Sequence, residues 1–121
     1  MAESTLLPAD KLAALRVRQV LLAEVPASVR GRRAYVEIWP QSVPADAAAD
    51  AEGWKHSDPR RSFDLTHHEY GPDLVGEFDD EGIIVIREAT APTEDDLFAM
   101  LRQWDVDLAT VEYPWRTDLL W

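Results

Sequence analysis

The rhythm of apolar and polar positions changes along the chain. Residues 8–25 set Leu12, Leu15, Val17, Leu21 and Leu22 among Lys11, Arg16, Arg18 and Glu24, which predicts a helix ended by Pro26. Its apolar positions wrap most of the wheel instead of forming one stripe. Either the helix is buried on two sides or part of it, around LRVRQV, is extended. The turn PASVRGRR then leads to AYVEIW at 34–39, whose β-branched and aromatic residues predict a strand. Residues 40–61 break the pattern. Their Ala-Asp core between Pro44 and Gly53 predicts a short helix with little apolar surface to bury, or else a mobile excursion.

From residue 62 the period is two. Phe63, Leu65 and His67 alternate with Asp64, Thr66 and His68 in a strand at 62–70. Gly71-Pro72-Asp73 reads as a turn, 74–79 as a further strand, and 83–88 as another. The four apolar residues 83–86 suggest a central strand covered on both faces. A helix at 93–104 has the clearest local signals. Thr93 is a natural N-cap, Asp96 completes a capping box, and Glu94, Asp95 and Asp96 lie where the helix dipole favours acids. Leu97, Leu101 and Trp104, with Phe98, mark its buried face. Asp107 begins another short turn, which Pro114 stops.

The stretch EFDDEGIIVIRE, residues 77–88, also matches part of a calcium-loop pattern. Glu77, Asp79 and Glu81 fall at ligand positions, with Gly82 at six, Ile84 at eight and Glu88 at twelve. A helix must enter and leave such a loop. Upstream lie two glycines and a proline, and downstream a β-prone run. A β-hairpin with an acidic tip in water is the better reading.

A chain of 121 residues, 46% hydrophobic, is long enough for one domain with its own core. No apolar run is long enough to span a bilayer, and the N-terminus lacks the basic and apolar regions of a signal peptide. With no cysteine there are no disulfides or thiolate sites, which suits a reducing compartment. The expected location is cytoplasmic. Charge is the most informative bulk property. Residues 1–60 carry eight acids and eight bases, whereas residues 61–121 carry fifteen acids and four bases. The whole net charge of −11 therefore lies in the second half. Phosphates would be repelled there, so neither nucleic acid nor an anionic membrane is an expected partner. A basic protein is.

Candidate chemistry is sparse. His67 and His68 are adjacent on a strand and so point to opposite faces; sharing one metal would require a bulge. With His56 and carboxylates they give the alternative reading of a small-molecule or metal-binding regulatory domain, or a small enzyme. No serine stands in a nucleophile elbow, and the five glycines form no phosphate-binding loop. Arg30, Arg32 and Arg33 read as a solvated turn or as partners of nearby acids. The C-terminal run YPWRTDLLW, with Tyr113, Trp115 and Trp121, is either a last piece of core or an exposed anchor.

These observations predict one α+β domain over residues 1–121. An antiparallel sheet of about four strands (34–39, 62–70, 74–79, 83–88) is packed by the N-terminal helix and the 93–104 helix, with residues 1–7 frayed. The expected function is non-enzymatic: an acidic inhibitor or immunity-type module for a basic partner such as a toxin or nuclease. No cofactor and no metal are expected. The partner-binding candidates are Asp79, Asp80 and Glu81 at the hairpin tip, Glu94, Asp95 and Asp96 at the helix start, and Trp115 and Trp121.

Overall fold

The computed structural model describes residues 7–71 and 83–114. In chain order the elements are α1 (Ala9–Arg16), β1 (Leu21–Val25), β2 (Arg33–Pro40), α2 (Pro44–Ala51), β3 (Phe63–Tyr70), β4 (Ile83–Ala91), α3 (Glu94–Gln103), a 3₁₀ turn (Leu108–Thr110) and β5 (Val111–Glu112). The strands form one antiparallel sheet in the order β4-β3-β2-β1-β5. The α+β architecture expected from the sequence is therefore present, with five described strands.

Register divides the sheet into two faces. Ala23, Val36, Ile38, Leu65, Phe63 and Ala91 point to one side and join Leu15 of α1 and Leu97, Phe98 and Leu101 of α3 in the main core. The opposite face carries Leu22, Tyr35, Glu37 and Trp39 from β1 and β2, Asp64, Thr66 and His68 from β3, and Glu88 and Thr90 from β4. Leu22, Tyr35 and Glu37 are buried, whereas Trp39, Asp64, Glu88 and Thr90 are exposed.

The long N-terminal helix predicted over 8–25 is instead a two-turn helix followed by a strand. The stop is a Schellman motif: Gln19 N–H donates to the Ala14 carbonyl at 2.9 Å and Arg18 N–H to that of Leu15 at 3.1 Å. Arg18 takes the left-handed conformation, φ 72°, that glycine usually supplies. Past it, Leu21 and Leu22 are both buried because β1 is covered on both faces.

Residues 40–61 do contain the short helix, and that segment is pinned. Arg61 is fully buried and uses all five of its N–H donors. Two go to Asp46 as a bidentate pair at 2.6 Å each, and three reach the carbonyls of Arg16 (2.7 Å), Gln41 (3.0 Å) and His56 (2.8 Å). Asp46 also accepts from the Val43 N–H at 2.8 Å, the return half of a capping box. A helix with almost no apolar face is thus held by charge pairs, and Arg18 adds a bond to Asp50 at 2.7 Å. Gly53, φ 85°, closes α2 in a second Schellman motif with Trp54 N–H donating to the Ala49 carbonyl at 3.0 Å.

Two further expectations change. Residues 83–86 do not form a doubly covered central strand: β4 is outermost among the described strands, with Val85 49% and Ile86 40% exposed. Leu7, expected to fray, is buried in the core, while residues 1–6 lie outside the described residues. The predicted strand at 74–79 also falls outside them, and β4 pairs directly with β3, Tyr70 opposite Ile83. The 93–104 helix is realised as α3, with Thr93 Oγ accepting from the Asp96 N–H at 3.1 Å. Since β4 is a strand, the exit half of the calcium-loop pattern has no helix.

Candidate functional site

The histidines do not converge. His67 sits on the core face of β3, where Arg87 Nε donates to its Nδ1 at 3.1 Å and Arg87 stacks over the Trp104 ring at 4.4 Å. Burial, then the Arg87 charge, holds the imidazole below its ordinary pKa. His67 is therefore neutral, with Nδ1 engaged by a cation and Nε2 buried without a hydrogen-bond partner. The β-bulge that could have brought the pair together does exist between His67 and His68, but the extra residue is Ile86 on β4. His68 thus stays on the opposite face. There its Nδ1 lies 3.4 Å from Glu37 Oε2, without the alignment of a hydrogen bond. His56 pairs with Asp58 at 3.1 Å. Among the described residues no three His, Cys, Asp or Glu side chains are grouped to hold a metal ion.

The arginine turn is structural. Glu69, fully buried on β3, accepts from the Ser28 N–H at 2.6 Å, the Ser28 hydroxyl at 2.9 Å and Arg32 at 3.1 Å. These donors hold its carboxyl below the usual range against the opposing effect of burial, the largest single influence. Arg33 pairs with Glu24 at 2.8 Å. Arg32 and Arg33 are paired with nearby acids, as the sequence suggested.

Of the predicted partner-binding residues, Asp79, Asp80, Glu81, Trp115 and Trp121 lie outside the described residues. The three helical acids divide. Glu94 forms a bidentate pair with Arg16 at 2.8 Å per bond, so a base 78 residues away neutralises it. Asp96 accepts the Thr93 hydroxyl at 2.8 Å. Asp95 is exposed. The acidic first turn is therefore partly committed to holding the fold.

A more open acidic site lies on the sheet face away from the core. Trp39, Asp64 and Thr90 stand in one cross-strand row, and Glu37, Thr66 and Glu88 in the next. A hollow of about 660 Å³ is lined by Trp39, Asp64, Thr66, Glu88 and Thr90 and extends to Gln41 and Ser42. Asp64 accepts from Gln41 Nε2 at 2.5 Å and from the Thr90 hydroxyl at 3.0 Å, both neutral donors. Among the described residues no cation pairs with Asp64 or Glu88. Trp39 is 39% exposed, and its indole N–H donates to Glu37 Oε1 at 3.1 Å.

Trp39 and Asp64 were not among the sequence candidates, and Glu88 had been considered only as a calcium ligand. Period-two alternation does place Glu37 and Trp39 on one face. What joins them to Asp64 and Glu88 is strand register, which the sequence does not display. No helix of the described residues is long and apolar enough to cross a membrane. Comparison with protein-family models, curated proteins and solved structures finds no match.

Proposed function

We propose that this chain is a non-enzymatic protein-interaction module that binds a basic protein, in the manner of an inhibitor or immunity protein that blocks a toxin or nuclease. The carrying observation is the exposed sheet face where Trp39 stands beside Asp64 and Glu88, two acids without a cationic partner among the described residues. Elsewhere the bases are largely engaged: Arg16 with Glu94, Arg18 with Asp50, Arg32 with Glu69, Arg33 with Glu24 and Arg61 with Asp46. An exposed Trp supplies the desolvated anchor on which interfaces depend, and uncompensated acids steer a cationic surface toward it.

The test is quantitative capture from a lysate of the source organism on immobilised wild-type protein and on a Trp39→Ala/Glu88→Gln variant. The expected result is a basic protein retained by the wild type, depleted on the variant, and binding as a purified pair. Retention only of acidic or neutral proteins, or equal retention by both columns, would contradict the proposal.

A further inference from the structure

We infer that His67 and Arg87 form a proton-operated latch between β4 and the end of α3, closed while the imidazole is neutral and released when the ring gains a second proton. The inference is independent of the interaction reading above. Arg87 stands opposite His67 in the β3–β4 register and reaches two partners at once. Its Nε donates to His67 Nδ1 at 3.1 Å, and its Nη2 donates to the Trp104 carbonyl at 3.4 Å. The guanidinium also lies 4.4 Å from the centre of the Trp104 ring, a cation–π contact. Trp104 is the C-cap of α3, so its carbonyl lies where the helix runs out of its own donors. One side chain of the sheet thus holds both the ring and the backbone of that helix end.

The hold depends on the lone pair of Nδ1. Arginine has only donors, so the bond fixes the neutral tautomer with its proton on Nε2. His67 is 8% exposed, and that Nε2 has no hydrogen-bond partner. A second proton on the ring would occupy Nδ1, abolish the bond and set two cations against each other across 3.1 Å. Arg87 is the exposed member of the pair and therefore the one that leaves. Its departure takes the charge off the Trp104 ring and the donor off the Trp104 carbonyl. The other charged neighbours do not offset this. Glu69, on the same face of β3, favours protonation, but Ser28 and Arg32 already occupy its carboxylate; His68 opposes protonation. β2 places apolar Val36 opposite His67, and α3 brings the uncharged Trp104 ring at 6.4 Å. The latch is closed at neutral pH and opens as pH falls below 6.5.

The experiment follows the full chain by ¹H–¹⁵N correlation spectra from pH 8 to pH 5. The Trp104 indole N–H is assigned through Trp104→Phe and the imidazole nitrogens through His67→Gln. The His67 ring and the Trp104 indole should shift with one midpoint, while the backbone amide spectrum stays that of the folded protein. In His67→Gln the amide oxygen still accepts from Arg87 but takes up no proton, so the Trp104 signal should no longer follow pH. In Arg87→Gln the His67 midpoint should move upward, because the opposing cation is gone. A Trp104 signal indifferent to His67 protonation, or one that moves equally in His67→Gln, would overturn the latch. So would a His67 midpoint unchanged by Arg87→Gln, or global unfolding before His67 takes its second proton.

Discussion

Arg61 joins four separate segments of the described chain. Its guanidinium ties the end of α1, the exit of β2, α2 and the loop at His56 to one buried point. Removing one partner of such a pair leaves the other charge buried and unpaired, so Arg61→Ala should cost about 3–5 kcal/mol in urea unfolding. A loss below about 1 kcal/mol would mean that the clamp does not form. The Arg61 hydrogen bonds hold the Asp46 carboxyl far below its ordinary value of 3.8. A depressed carboxyl stabilises the fold above its unfolded pKa and loses that contribution as pH falls through the folded value. The clamp should therefore persist through mildly acidic pH. His67 behaves differently, because its shift begins near 6.5. The folded state favours the neutral imidazole, so stability is full above that pH and declines as pH falls through the lower folded pKa. Urea midpoints from pH 8 to pH 5 should fall more for the wild type than for His67→Gln; parallel curves would refute this role. Arg61 did not announce itself in the sequence. Arg61 stands 15 residues from Asp46 and 45 from Arg16, and no local pattern links such positions.

At the scale of elements, legibility follows the range of the forces involved. α3 was readable because its cap, its dipole-compatible acids and its apolar face are all local. Thr93→Ala should cost about 1 kcal/mol. Leu101→Ala, at a fully buried position, should cost roughly 2–5 kcal/mol. Urea melts that reversed this order would place the helix or its buried face wrongly. β2 and β3 were readable from β-branched residues and alternation. The end of α1 was not, because its Schellman motif uses Arg18 at the position where a glycine would have marked a stop. α3 ends likewise at Asp105, φ 56°, with Val106 N–H donating to the Leu101 carbonyl at 2.9 Å. Relieving that strain, Asp105→Gly should raise stability by up to about 1 kcal/mol despite glycine's greater entropy when unfolded. A clear loss in thermal melts would contradict this. The apolar run at 83–86 misled for a related reason: four apolar residues suggest cover on both faces, and nothing in them signals a bulged strand that is outermost among those described.

Across the whole molecule, folding redistributes the charge that the sequence segregates. Bases of the first half cross to acids of the second: Arg16 to Glu94, Arg32 to Glu69 and Lys11 to Glu112. Acids left without a cation then acquire more weight, and Asp64, Glu88, Asp95, Asp96, Asp105 and Asp107 are the exposed ones in the described second half. Steering by such charges acts mainly on association and is screened over about 8 Å at physiological salt. A desolvated anchor such as Trp39 governs dissociation instead. The most direct test is surface-plasmon kinetics with the co-purified partner at low and high salt. It compares the wild type with a charge-neutral variant at Asp79, Asp80 and Glu81, and with another at Glu88 and Asp95. The proposal expects severalfold slower association and a flatter salt dependence in at least one variant, with dissociation little changed and the fold intact. An association rate indifferent to salt and to both sets of substitutions would contradict the electrostatic reading, and the proposed function with it.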